Sequence, residues 1–214
     1  MSSIADIRTQ YSQKVLVEDA VLPDAIQQFE QWWKEALEAA ITEVNAMTLA
    51  TVNAEGLPDA RIVLLKGLSP EGFTFFTNFE SSKGRQLAQH PQACLVFFWK
   101  ELERQVRVRG AVTKVPDAES AAYFYSRPEG SQVGAIVSPQ SRIIESRQQL
   151  EDQVKGLQAA VASGKALERP AFWGGFRLSP TSVEFWQGRP NRLHDRLLYT
   201  LRPEGGWKIS RLAP

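Results

Sequence analysis

The sequence predicts a mainly β fold, an antiparallel sheet or barrel with flanking helices, and three observations carry that prediction. Five runs of β-favouring residues with short connections lie before residue 116, a spacing that favours antiparallel pairing over βαβ units. A second group of strand-like runs follows Phe172. No glycine-rich strand-to-helix fingerprint occurs, which weakens a dinucleotide or P-loop fold further. With 214 residues the chain can build one sizeable core. No internal repeat or deep compositional break divides it, so residues 23–214 are expected to form a single domain behind a mobile arm over residues 1–22.

Within the arm, Arg8 and Tyr11 stand three apart and could share a short helical face. Pro23 suits a first helical position, and Ile26, Phe29, Trp33, Leu37, Ala40 and Val44 then mark one apolar face of a helix running to about Glu43. Met47 to Val52 and Ala60 to Leu65 flank the turn Asn53-Ala54-Glu55-Gly56 and read as a hairpin. Gly67 to Gly72 reads as a turn and Phe73 to Thr77 as a strand. Ser81-Ser82-Lys83-Gly84 can open a short helix through about Gln89, stopped before Pro91. Ala93 to Trp99 is nearly all apolar, as in a central strand, and Cys94 within it reads as a small buried hydrophobe.

Arg104 to Val115 alternates, with Val106, Val108 and Val112 facing one way and Gln105, Arg107 and Arg109 the other. Asp117 to Ser126 is a helix after Pro116, and Pro128 starts a further turn or helix. Glu145 to Ser163 is the clearest helix, its stripe of Leu150, Val154, Leu157 and Val161 free to pack on the barrel or on another subunit, with Gly164 as terminator. After a linker from Lys165 to Pro170 come four strands: Gly175 to Leu178, Val183 to Gln187, Arg192 to Tyr199 and Trp207 to Arg211.

Composition excludes several classes of function. A formal net charge of +1, from 25 Lys plus Arg against 24 Asp plus Glu, gives no general pull toward nucleic acid, so any positive site must be local. One cysteine forms no disulfide within the chain, and one cysteine with two histidines leaves a structural zinc almost no ligands, so no metal is expected. The start MSSIADIRTQYSQK has no apolar h-region, and no apolar stretch approaches a membrane span; the expectation is a soluble, cytoplasmic protein without membrane partners.

Five groups of polar residues could carry chemistry. If Arg192 to Tyr199 is a strand, Arg192, His194 and Arg196 share one face, while Leu193, Asp195 and Leu197 take the other. Two guanidiniums and an imidazole suit an anionic, partly aromatic ligand, though a solvated hairpin has the same pattern. If helical phase persists across Pro128, Tyr123, Arg127 and Ser131 lie at successive steps of four and can surround a phosphate; a surface arginine beside a half-buried tyrosine reads the same way. Arg61 and Lys66 bracket an apolar strand, and Ser82 with Lys83 sits at a helix start where free amides favour an anion. Gln140 and Ser141 fall in a loop. Together these groups exceed what one phosphate needs and point to two anionic ligands or one large one.

The segment EFWQGRPNRLHDR (184–196) resembles the signature of pyridoxine/pyridoxamine 5'-phosphate oxidases. RIVLLKG (61–67), FFTNFESSKG (75–84), LERQVRVRG (102–110), YFYSRPEGSQVGA (123–135), SPQS (138–141), FWGGFRLSP (172–180) and the C-terminal RLAP resemble the same family in the same order, covering roughly residues 23 to 214.

The resemblance implies a homodimeric split β-barrel with FMN between the subunits. The implied reaction is oxidation of pyridoxine 5'-phosphate or pyridoxamine 5'-phosphate by O2 to pyridoxal 5'-phosphate, with release of H2O2. The FMN contacts it implies are Arg61, Ile62, Val63, Leu64, Leu65 and Lys66, then Phe76, Thr77, Ser82, Lys83 and Gln105. Gln140, Ser141, Trp186 and Arg196 complete that set. Lys66, Tyr123, Arg127 and Ser131 would hold the substrate phosphate, and Arg192, Leu193 and His194 its ring, with Arg192 and His194 as the catalytic pair. Arg8 and Tyr11 resemble a lid pair, but Val15-Leu16-Val17-Glu18 stands where a basic run is often found. Ser82 replaces a frequent arginine, which predicts looser FMN binding, and Phe76 replaces a frequent tyrosine.

Overall fold

The computed structural model describes residues 3–6 and 10–214. Asp24 starts helix α1 (Ala25–Glu38) by accepting hydrogen bonds from the amides of Ile26 and Gln27 at 2.9 and 3.0 Å. Ile26, Phe29, Trp32 and Ala36 form its buried face, while Trp33 is half-buried and Leu37 exposed. The helix stops at Glu38 rather than near Glu43. Ala40 turns left-handed at φ 51°, and the amides of Ala40 and Ile41 reach back to Leu37 O at 3.0 Å and Ala36 O at 3.4 Å, a Schellman cap. An alanine in the usual glycine position gives no stop signal, and Ile41 and Val44 still pack on the core from the turn, so the apolar spacing outruns the helix.

Nine strands form one antiparallel sheet: β1 (Ala46–Val52), β2 (Pro58–Leu64), β3 (Gly67–Ser69), β4 (Gly72–Asn78), β5 (Gln92–Trp99), β6 (Arg104–Lys114), β7 (Trp173–Gln187), β8 (Asp195–Leu201) and β9 (Trp207–Arg211). Their order is β2-β1-β5-β6-β7-β4-β3, with β8 added to β7 and β9 to β8. The stretch expected to be only a turn, residues 67–72, contains the short β3. The amide of Lys66 donates to Thr74 O at 2.8 Å, joining the end of β2 to β4 from opposite ends of the order. The sheet therefore curls into a half-barrel.

The two strands expected at Gly175–Leu178 and Val183–Gln187 are one continuous β7. Residues 173–178 pair with β4 and residues 182–187 with β8, while β6 runs along nearly the whole strand. Ser179-Pro180-Thr181-Ser182 has turn composition, yet β6 absorbs it through a bulge between Arg109 and Gly110. The backbones approach so closely there that a Cβ on Gly110 would stand 1.9 Å from Ser179 O.

The concave side holds the core. Phe29 of α1 meets Phe73 and Phe97 at 4.9 Å between ring centroids, beside the buried Leu49, Leu95, Val106, Phe185 and Tyr199. The opposite side of the sheet carries a row in register: Ile62, Thr48, Val96, Arg107, Glu184 and Leu198. Four helices flank the sheet: α2 (Ser82–Gln89), α3 (Asp117–Ser126), α4 (Glu129–Val137) and α5 (Arg147–Ala162). Leu150, Val154, Leu157 and Val161 of α5 are half-buried beside α4.

The terminal hairpin departs from expectation. Pro190–Arg192 is a 3-10 turn in which Asn191 and Arg192 have φ of 56° and 62°, and β8 starts only at Asp195. Arg192, His194 and Arg196 therefore do not alternate along one strand. Proline at the start of the turn and asparagine in the left-handed region both favour this geometry over an extended one. Only Arg196 lies in β8, beside Trp186 and opposite in direction to the buried Leu197 and Tyr199. The N-terminal segment lies against the same end of the fold. Ser12 and Gln13 donate their amides to Glu103 Oε2 at 2.9 and 3.1 Å, and buried Leu16 donates its amide to Asp195 Oδ2 at 3.1 Å.

Candidate active site

A cavity of about 500 Å3 opens where the edge of β2 faces β4, the start of α2 and the junction of α3 with α4. β2 ends the strand order, so one side of its backbone is unpaired and available to a ligand. Of the residues implied to touch the cofactor, Ile62, Val63, Leu64, Lys66, Phe76, Thr77, Lys83 and Gln140 line this cavity. All four implied substrate-phosphate residues, Lys66, Tyr123, Arg127 and Ser131, line it too. Among the described residues three cations face it and no carboxylate does.

Arg127 is set by its proline. Pro128 disfavours helical geometry in the residue before it, and Arg127 is extended at φ −80° and ψ 150°, ending α3 before α4 begins. Helical phase is therefore not maintained across Pro128; the break turns the chain so that Tyr123, Arg127 and Ser131 still converge. The Arg127 guanidinium lies 4.8 Å above the Trp173 ring, and its Nη1 is buried without a hydrogen-bond partner among the described residues. Burial pushes its pKa down from the usual arginine range. Tyr123 stacks on Phe76 at 4.0 Å and 27° between planes.

At the other end, Ser81 caps α2 by accepting from the amide of Gly84 at 3.3 Å, which places Ser82 and Lys83 in its first turn. Gly84 has no room for a side chain, since a Cβ would stand 2.1 Å from Phe79 O. Lys83 is buried and donates to Gln140 Oε1 at 3.0 Å and more weakly to Thr77 Oγ1 at 3.4 Å. Burial, and then the neighbouring Arg61, hold its ammonium below the usual lysine range. Arg61 donates to Leu49 O at 3.1 Å and Thr51 Oγ1 at 2.6 Å and pairs with Asp59 at 2.5 Å. Leu65 is buried, with its amide and carbonyl both bonded to Asn45 at 2.8 and 3.3 Å. Ser141 lies in the loop after α4 at φ 69°.

The remaining predicted residues form a second cluster. Gln105, Trp186 and Arg196 stand side by side on β6, β7 and β8. They lie on the same sheet face as Ile62 and Leu64, but Trp186 is four strand spacings away, ~19 Å across the sheet. Arg196 pairs with Glu184 at 2.9 Å and donates to Ala213 O at 2.8 Å. Arg192 and exposed Leu193 lie in and beside the turn after β7, and His194 packs on Trp186 at 4.6 Å. The Tyr11 ring lies 5.8 Å from both Trp186 and His194; Arg8, its expected companion, falls outside the described residues. His194 Nδ1 accepts from the amide of Arg189 at 3.1 Å, which puts the proton of the neutral ring on Nε2. Burial, and then Arg192, push the imidazole pKa below its ordinary value.

One chain therefore brings Arg127 and Arg192 to different places. It also brings to the cavity Asn78, Gly134, Ala135, Ser138 and Trp173, which residue spacing alone does not single out. Trp173 stands in the conspicuous run Phe172-Trp173-Gly174-Gly175-Phe176, the one signal that could have marked it.

Residues 33–159 match the family model described as pyridoxamine 5'-phosphate oxidase. Residues 173–214 match the model described as pyridoxine 5'-phosphate oxidase C-terminal dimerisation region. The chain is 53% identical over 215 residues to the pyridoxine/pyridoxamine 5'-phosphate oxidase of Salinibacter ruber (strain DSM 13855 / M31), with 100% of both chains covered. It is 55% identical over 216 residues to that of Burkholderia mallei (strain SAVP1), again with 100% of both covered. Among solved structures, PhzG from Burkholderia lata 383 in complex with tetrahydrophenazine-1-carboxylic acid superposes with a TM-score of 0.87 at 29% identity, over 94% of this chain and 98% of that one. A pyridoxamine 5'-phosphate oxidase-related, FMN binding protein from Nostoc punctiforme PCC 73102 shares the fold, with a TM-score of 0.68 at 18% identity over 87% of this chain and 97% of that one.

Proposed function

The chain belongs to the pyridoxine/pyridoxamine 5'-phosphate oxidase family, and we infer from that membership and from its cation-lined cavity that it is an FMN-dependent oxidase producing pyridoxal 5'-phosphate. Pyridoxine 5'-phosphate and O2 give pyridoxal 5'-phosphate and H2O2; pyridoxamine 5'-phosphate consumes a water as well and releases ammonia. The observation that carries the reading is Arg127. A buried guanidinium nitrogen with no partner, in a cavity with Lys66 and Lys83 and no carboxylate, fits a site made for phosphate esters. PhzG shares the fold, so fold alone does not choose the substrate; the full-length relatives at 53% and 55% identity favour the phosphorylated vitamers.

The chemistry that FMN supplies when bound is two-electron oxidation at the substrate's C4' carbon, with O2 as the final acceptor. The residues that would hold it are Ile62, Val63, Leu64 and Lys66 at the β2 edge, with Phe76 and Thr77 on β4. Ser82, Lys83, Gln140 and Ser141 would complete that half. Lys83 suits the phosphate of such a group: it is a buried ammonium without an ion pair among the described residues, at the first turn of a helix where an anion is favoured. Ser82 adds no charge there, which supports the expectation of looser retention.

The second cluster would complete the site from another copy of the chain. Gln105, Trp186 and Arg196 would meet FMN, while Arg192, Leu193 and His194 would meet the substrate ring. A homodimer is the assembly that makes this possible, because a two-fold axis sets the β6–β8 region of one chain against the β2 edge of its partner. Support comes from the exposed apolar side chains on that face, Ile62 at 65% and Phe98 at 55%. The dimerisation wording of the C-terminal family model agrees with it.

In that arrangement Lys66, Tyr123, Arg127 and Ser131 bind the substrate phosphate and hold the ring in place. Arg192 covers the ring. His194, its pKa lowered by burial and by Arg192, offers its Nε2 N–H as a donor to the ring's polar edge. Aerobic assay of FMN-loaded protein with each phosphorylated vitamer tests the reading. Pyridoxal 5'-phosphate and H2O2 should appear in equal amounts, and FMN-saturated protein that leaves both vitamers unchanged would overturn it.

A further inference from the structure

Several arginines of this fold are held by carboxylate partners. Arg61 pairs with Asp59, Arg104 with Glu35, Arg107 and Arg196 with Glu184, and Arg211 with Glu18 and Asp195. Arg127 has none. Its guanidinium is held instead over the face of Trp173, 4.8 Å from the ring centre. The indole is itself fixed from several sides. It is buried, nearly parallel to Phe76 at 5.6 Å and 14°, and edge-on to Phe124 at 5.3 Å and 69°. Its backbone amide donates to Pro170 O at 3.0 Å, and Arg169 Nη1 donates to its carbonyl at 2.6 Å.

We propose that Trp173 is the positioning residue of the phosphate site: it orients Arg127 through its ring face and leaves the guanidinium's charge and N–H donors for the ligand. A carboxylate in the same place would hold Arg127 equally well but would neutralise it and occupy its fork. An aromatic face attracts the cation without accepting a directed hydrogen bond from its edge. That explains why a buried nitrogen of Arg127 has no hydrogen-bond partner among the described residues. The proposal rests on the reading of the cavity as the substrate-phosphate site.

Site-specific incorporation of fluorinated tryptophans at position 173 tests it, because fluorine withdraws π density with little change of shape. In FMN-loaded protein, stepwise fluorination should raise the KM for pyridoxamine 5'-phosphate and the competitive Ki of inorganic phosphate together, by about threefold to tenfold at the fully substituted ring, with a smaller change in kcat. Trp173→Leu should raise both by about tenfold, and Trp173→Phe should restore most of the loss. In an Arg127→Met background the fluorinated series should be flat, since the ring then has nothing to orient. KM and Ki that ignore fluorination in the otherwise native chain overturn the role of Trp173. Unsubstituted protein that forms no pyridoxal 5'-phosphate overturns the substrate reading instead, and the two failures are read in separate samples.

Discussion

Replacing Arg127 by methionine should separate stability from function in a way few active-site substitutions do. Among the described residues the buried Nη1 has no partner, an arrangement that costs about 1 kcal/mol for a part-buried group. Losing the contact with Trp173 removes about 0.5–1 kcal/mol of stabilisation. The two nearly cancel, so the variant should unfold within about 4 °C of the parent, on either side. Binding responds quite differently. Charge-assisted hydrogen bonds to a phosphate contribute about 1.5–3 kcal/mol, so the Kd of pyridoxamine 5'-phosphate should rise about 10- to 150-fold. At a ligand concentration one hundred times the parent's Kd, binding stabilises the parent by about 2.7 kcal/mol. A variant with thirtyfold weaker binding gains only about 0.9 kcal/mol. Thermal unfolding of the FMN-loaded proteins, with and without ligand, reads both numbers in one experiment. A variant much less stable than the parent when free, yet stabilised equally by ligand, would show that Arg127 serves the fold and not the phosphate.

Other consequences are equally open to measurement. Lys83→Ala should weaken FMN retention by about tenfold or more, seen by fluorescence titration of apoprotein, because it removes the buried cation at the start of α2; unchanged affinity would move the FMN phosphate elsewhere. Gly84→Ala should cost about 1–3 kcal/mol in urea unfolding and loosen FMN as well, since its Cβ would meet Phe79 O at 2.1 Å. His194 has its pKa lowered in the fold by burial and by Arg192, so the unfolded chain binds its proton more readily. As pH falls through the ordinary histidine value of about 6.5, this group should therefore lower stability, and its own NMR titration midpoint should lie below that value. A midpoint above it would contradict the environment described here.

Much of the fold follows from local pattern, and the exceptions have identifiable physical causes. The β1–β2 hairpin, the alternation in β6 and the start of α2 at Ser81 are all set by near neighbours, and the sequence shows them. The end of α1 is hidden because Ala40 makes a left-handed cap and the apolar spacing continues through Ile41 and Val44. The continuity of β7 is hidden because β6, far away in sequence, pairs across a proline-containing stretch that reads as a turn. At the site, Tyr123, Arg127 and Ser131 were legible as a group, but the reason differs: a kink at Pro128 gathers them, not an unbroken helical face. Arg192 and His194 were legible as types of residue and not as a strand face, because Asn191 and Arg192 turn left-handed. Trp173 stood out only through its aromatic–glycine run, and its place beside Arg127 was not legible, since that guanidinium lies forty-six positions earlier in the chain.

The claim on which the rest depends is that Arg127 of one chain and Arg192 of another serve the same pocket. Co-expression of Arg127→Met and Arg192→Leu chains tests it most directly, assayed at a substrate concentration well below the KM of either variant, where each alone turns over slowly. A mixed dimer then contains one pocket with both defects and one with neither. Random pairing should restore about one quarter of the native rate of pyridoxal 5'-phosphate formation. A mixture that separates as mixed dimers, binds FMN and recovers no activity would contradict the shared pocket.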